Sequence, residues 1–190
     1  MLTWFLWYKG VMRWCLVLGH NLTFRGLFGW PRRLVTDATR GLCDAIRASQ
    51  ATAPVRFVLM NTAGNSNRDL DDRISFGQKF VIGLLRLMLL PHTDNETAAD
   101  YLRLRVGQND PQIEWTAVRS DGLVDATEVT EYEVCVSPTR SAIFDAGTTS
   151  RINVAHFMAE LINSNGTRDI WQGKMPVIYN SASAWRCNGG

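Results

Sequence analysis

Residues 55–64 read VRFVLMNTAG, and residues 113–122 read IEWTAVRSDG. Each is a short apolar run, rich in β-branched and aromatic residues, that stops at small and polar ones. A strand buried on both faces has this composition, because in a parallel sheet helices cover both sides. Residues 34–50 precede the first run, with Leu34, Val35, Ala38, Leu42, Ala45 and Ile46 at helical spacing and Pro31 suited to a first helical turn. After the second run, Ser150 can cap a helix whose Val154, Phe157, Met158, Leu161 and Ile162 form an apolar stripe. Further short strands are predicted over 11–18, 132–136 and 176–179. Residues 74–90 are a helix candidate that Gly77 and Gly83 weaken and Pro91 stops. A further helix is predicted to follow a Thr93-x-x-Glu96 capping box, with Ala99, Leu102 and Val106 inward. Alternating strands and helices point to an α/β fold, a parallel sheet with helices on both faces.

Composition narrows the function classes. A chain of 190 residues is most simply one domain. A hydrophobic fraction of 46% excludes general disorder. A net charge of +2 gives no electrostatic footprint for nucleic acid. Residues 1–18 are apolar and aromatic, but Lys9 and Arg13 interrupt them before the roughly 20 apolar residues of a membrane span. The run FVIGLLRLMLL over 80–90 is too short to span and contains Arg86. No membrane partner is expected. Cys15, Cys43, Cys135 and Cys187 have no CxxC or zinc spacing, so a reduced, cytoplasmic setting is expected. His20, His92 and His156 are too scattered for a metal site. Asn21, Asn95 and Asn165 open Asn-x-Thr sequons, read as chance.

In open parallel sheets a ligand lies beyond the carboxyl ends of the strands. Three such ends carry small or polar residues: Gly19-His20-Asn21, Asn61-Thr62-Ala63-Gly64 and Arg119-Ser120-Asp121-Gly122. Small residues admit a ligand to the backbone, and hydroxyls and amides can orient it. The plain alternative is three ordinary strand-to-loop turns. Arg119 can pair with a ligand phosphate or carboxylate, or with Asp121 or Asp125.

The segments VRFVLMNTAGNSN (55–67), LLPHTDNETAADYL (89–102), IEWTAVRSDGLVD (113–125) and SPTRSAIFDAGTTSRINVAHFMAELI (137–162) resemble the NmrA-like, NAD(P)-binding atypical short-chain dehydrogenase/reductase family. The resemblance covers roughly residues 15–180. It implies a Rossmann-like fold that binds NAD(P). Gly19, His20 and Asn21 resemble the loop after the fourth strand, where the family contacts the ribose and adenine side of the cofactor. Thr62, Ala63, Gly64, Ser120 and Gly122 then fall at further cofactor-binding positions. Thr62 resembles the hydroxyl residue that orients substrate or cofactor, although it can equally serve its own turn.

Two departures matter. The family opens with a strand, a glycine-rich turn and a helix that hold the pyrophosphate, and no GxGxxG or GxxGxxG occurs here. The chain therefore reads as a partial Rossmann-like parallel sheet flanked by helices, lacking the first three strands. Residues 1–14 are an unmatched aromatic-rich segment, 15–180 the C-terminal portion of the domain, and 181–190 a tail. The family's Tyr-x-x-x-Lys pair is also absent. Counting back from Ala99-Asp100, its positions hold His92 and Glu96. His92 can act as an acid or base near neutrality, but Glu96 cannot supply the missing cation. The alternative makes His92 a pre-helix surface residue and Glu96 part of the capping box. Tyr101 has Arg105, not Lys, four residues later.

Two functions follow as expectations. One is an NAD(P)-binding protein of this family, truncated and weakly active or inactive as given. The other is a non-catalytic nucleotide-sensing or interaction module. Without the earlier strands, the strand before Gly19 is expected to expose an unpaired edge and so to self-associate.

Overall fold

The computed structural model describes residues 2–8, 11–17, 32–62, 90–139 and 147–181. Eight strands are present: β1 (Leu2–Tyr8), β2 (Val11–Val17), β3 (Val55–Thr62), β4 (Ile113–Ser120), β5 (Gly122–Val124), β6 (Tyr132–Cys135), β7 (Thr148–Ser150) and β8 (Val177–Asn180). The helices are α1 (Leu34–Ala48), α2 (Leu90–Tyr101), α3 (Arg151–Asn163) and α4 (Asn165–Trp171). A π-helical turn, Leu102–Val106, continues α2. The six-stranded sheet has the order β1-β2-β3-β4-β8-β6, and β5 and β7 form a separate pair. Pairing is parallel from β2 through β8 and antiparallel at both outer strands.

The period-two pattern of the strands explains the layers. In β3, Val55, Phe57 and Leu59 face a core shared with Val35, Cys43 and Ile46 of α1 and Ala98, Ala99 and Leu102 of α2 and its extension. Val58 faces the other way, with Val118 and Ile178, against Val154, Phe157, Met158, Leu161 and Ile162 of α3. The apolar stripe of α3 is thus buried as expected, and Ser150 caps the helix by accepting from Asn153 N. Both sheet faces are covered, which is why β3 and β4 are buried at nearly every position.

Four expectations change. The edge of β2 is paired: β1 runs antiparallel to it from Leu2↔Val17 to Tyr8↔Val11. The aromatic residues before Lys9 have strand propensity, which suits them to this pairing. Pro91 does not stop a helix. It is the second residue of α2, where its fixed φ suits the first turn. Thr93 consequently lies inside α2 and does not cap it, and its carbonyl accepts from Thr97 Oγ1 at 2.7 Å. Finally, the cysteines are not all free thiols. Cys15 and Cys43 are, but Cys135 is disulfide-bonded, because spacing in sequence does not report which sulfurs meet in space.

The helix candidate over 74–89, the Gly19-His20-Asn21 loop and the tail beyond 181 lie outside the described residues. Among the described residues no helix is long and apolar enough to cross a membrane, and no group of three His, Cys, Asp or Glu could hold a metal ion.

Candidate functional site

β3 and β4 end side by side, with Asn61 opposite Arg119 and Thr62 opposite Ser120. Beyond them opens a cleft of about 210 Å³ lined by Met60, Asn61, Thr62, Asn95, Ser120, Asp121 and Leu123. Its position at the carboxyl ends of parallel strands is where the fold class places ligands.

Each wall is fixed by hydrogen bonds. Asn61 Nδ2 donates to the Asn95 carbonyl at 3.0 Å, and Asn61 Oδ1 accepts from Thr62 N at 2.7 Å. One side chain therefore joins the end of β3 to α2. The preceding residue of α2, Asp94, anchors that helix to α1. Its Oδ2 accepts from Val35 N at 2.8 Å, and its Oδ1 accepts from Thr36 N at 3.0 Å and Thr36 Oγ1 at 2.6 Å. This carboxylate takes N–H groups at the start of α1 that would otherwise attract an anion. On the opposite wall, Asp121 Oδ2 accepts from Gly147 N at 3.2 Å. Gly122 N in turn donates to Gly147 O at 3.1 Å, leading into the β5–β7 pair.

Arg119 does not pair as expected. It is fully buried, donating Nε to the Met175 carbonyl at 2.7 Å and Nη2 to the Val136 carbonyl at 3.2 Å. Asp125 pairs instead with Arg151 at 2.7 Å. The described lining of the cleft thus offers amides, hydroxyls and one carboxylate, and no cation. That donor set fits ribose hydroxyls and a carboxamide.

Of the residues singled out in the sequence, Thr62 and Ser120 meet in the cleft. Gly122 lies in β5, paired with Thr148. His92 is the third residue of α2, and Glu96, one turn on, is buried. Gly19, His20, Asn21, Ala63 and Gly64 lie outside the described residues. The Arg40 guanidinium sits 5.4 Å from the centre of the Tyr101 ring. His156 Nδ1, on α3, is 2.8 Å from Tyr132 Oη on β6. Asn153 has a structural place: fully buried, it bonds Thr130 and Asn180. Three polar cleft residues lacked a cofactor role in the sequence reading: Asn61, Asn95 and Asp121. The adjacent ends of the two strands were the signal that could have gathered Asn61 and Asp121; Asn95, on α2, carried none.

The sequence pattern of the NAD(P)H-binding family matches residues 20–165. The chain belongs to that family. Its domain is NAD(P)-binding and Rossmann-like. No curated protein matches it in sequence. Among solved structures it is similar to ChuY, an anaerobillin reductase from Escherichia coli O157:H7, at 15% identity and a TM-score of 0.57, over 93% of this chain and 66% of that one. It is also similar to a short-chain dehydrogenase/reductase from Veillonella parvula in complex with NADP, at 16% identity and a TM-score of 0.50, over 79% of this chain and 60% of that one. These likenesses concern the fold. The chain spans 49% to 66% of the length of the first four structures it matches.

Proposed function

We propose that residues 15–180 form the C-terminal portion of an NAD(P)-dependent reductase-type domain, and that the cleft at the ends of β3 and β4 receives a hydroxyl- and amide-bearing part of the dinucleotide. The hydroxyls, amides and single carboxylate that the described residues set between Met60 and Leu123 in that cleft carry the reading. Thr62 and Ser120 would bond ribose or carbonyl oxygens, and Asp121 would accept from a hydroxyl. Gly19, His20 and Asn21 would serve the ribose on the adenine side, with Ala63, Gly64 and Gly122 leaving room for the backbone to approach. When bound, the dinucleotide would supply hydride chemistry.

The pyrophosphate would lack its usual anchor, because no glycine-rich turn occurs in the sequence. Affinity for NADH and NADPH is therefore expected to be weaker than about 10 μM, near −7 kcal/mol. Calorimetric titration tests this, and a tighter constant overturns the lost-anchor reading. The non-catalytic nucleotide-sensing module is favoured by one observation: Glu96, at the position of the family's Lys, is acidic and buried. On that reading the His92→Ala variant changes no carbonyl-dependent NADPH oxidation. A rate that His92→Ala abolishes would make His92 an acid/base residue. The same reading includes self-association through the outer edge of β1, a seven-residue strand at the end of the sheet. Light scattering with size exclusion reads this as a mass that rises with concentration, and a constant monomer mass refutes it.

A further inference from the structure

Gly147 stands where three elements meet. Its N–H donates to Asp121 Oδ2, its carbonyl accepts from Gly122 N, and its Cα lies against the ring of Tyr179 on β8. A Cβ at this position would overlap Tyr179 Cδ1, sit 2.7 Å from Cε1 and come within 3.5 Å of Asp121 Oδ2. Carbon atoms in contact need roughly 3.5–4.0 Å. The ring cannot easily give way, since Tyr179 is buried on the central side of the β8–β6 pairing. Only a residue without a side chain lets the Tyr179 ring and the Asp121 carboxylate occupy their places together.

Asp121 lines the cleft, so what fixes its carboxylate also fixes the cleft's single described charge. We propose that Gly147 is a positioning residue for the dinucleotide site: seated on the Tyr179 ring, its N–H holds the Asp121 carboxylate in the orientation that receives a ligand hydroxyl. This inference rests on the cleft being the ligand site. Gly147 itself touches no ligand in this account. It acts through Asp121, and the Tyr179 ring is what excludes a side chain from its place.

The test is NADPH titration of the full chain followed by NMR, which reads dissociation constants into the millimolar range, with thermal unfolding recorded on every variant. Gly147→Ala is expected to weaken NADPH binding by about tenfold, since a hydrogen bond to a charged group is lost. Tyr179→Ala alone keeps the hydrogen bond and is expected to change affinity by less than about twofold. Gly147→Ala combined with Tyr179→Ala makes room for the methyl group and should restore the affinity of the wild-type chain. Asp121→Ala should weaken binding as much as Gly147→Ala, and adding Gly147→Ala to it should weaken binding no further. A Gly147→Ala chain that unfolds at a lower temperature yet binds NADPH unchanged has a packing glycine, and the inference falls. Should Gly147→Ala fail to fold, the pair Asp121→Ala and Gly147→Ala/Tyr179→Ala still decides. Loss of binding in the first with recovery in the second supports positioning, and any other combination refutes it. If Asp121→Ala and Thr62→Val both leave binding intact, the cleft is not the ligand site, an outcome distinct from failure of Gly147 alone.

Discussion

The strands β3 and β4 are in register along their whole length, yet their two ends are built from opposite chemistry. At the amino end Arg56 faces Glu114. Arg56 is buried, and its guanidinium bonds the Ile162 carbonyl and Asn165 Oδ1, with Glu114 Oε2 at 3.8 Å. Arg168 closes the group from α4, its Nη1 at 3.0 Å from Glu114 Oε2. At the carboxyl end Thr62 faces Ser120 and the space in front of them is open. Full charges lie where the packing is closed and can satisfy them. Hydroxyls and amides, with the one carboxylate of Asp121, lie where a ligand can enter. Buried charges need fixed partners, whereas hydroxyls and amides tolerate exchange between water and ligand.

If this division holds, the two ends respond differently to mutation. The largest effect is expected at the closed end. Arg56→Ala should cost about 3 kcal/mol, because the buried Ile162 carbonyl loses its donor and Glu114 loses a charged neighbour. Chemical denaturation measures it, and a loss below about 1 kcal/mol would remove the distinction between the ends. Asp94→Ala comes next, at about 2 kcal/mol, since α1 loses the carboxylate that bonds its first N–H groups. This variant blurs the contrast, because Asp94 is next to Asn95. It should also broaden the side-chain amide resonances of Asn61, whose bond to the Asn95 carbonyl depends on the seat of α2.

A third prediction uses pH. Burial pushes the Cys43 thiol up to about 12 and, with the nearby charge of Asp121, pushes the Tyr179 phenol up to about 12. Both groups are neutral when protonated, and both hold their protons more tightly when folded. Their contribution is complete below the unfolded values near 9 and 10, and it is lost as pH rises toward 12. Each group can remove up to about 1.4 kcal/mol per pH unit within its window. Urea unfolding from pH 8 to 11 should therefore show falling stability, with a shallower fall in Cys43→Ala. The smallest effect on stability is expected from Thr62→Val, within about 1 kcal/mol, accompanied by a loss of NADPH affinity of roughly threefold to tenfold. Equal stability losses in Arg56→Ala and Thr62→Val would contradict the comparison.

Much of the layer structure was legible in the residues. Apolar runs ending in NTAG and VRSDG carry both a sheet buried on two faces and the location of its polar end. The stripe on α3, with Ser150 before it, needed only periodicity and a capping rule. What escaped the sequence was decided by tertiary partners. A capping box and a helix-opening proline use the same local grammar, and Pro91 and Thr93 were assigned the wrong way round because the start of α2 is set elsewhere. Arg119 was read against its neighbours in the chain, but its partners are carbonyls of Val136 and Met175. Asp94, which bonds residues nearly sixty positions earlier, leaves no mark in local sequence.

The pairing of β1 with β2 also sets a competition. A strand has two hydrogen-bonding edges, and β2 gives one to β3 and the other to β1. That second edge is the one a further parallel strand would need in order to extend the parallel part of the sheet. Here an antiparallel strand fills it at seven consecutive residue pairs. The two arrangements exclude each other along this ladder. A polypeptide offering a parallel strand to this edge would have to peel β1 away pair by pair before its own ladder could form, so any such docking would proceed as strand displacement, at a rate governed by the fraying of β1.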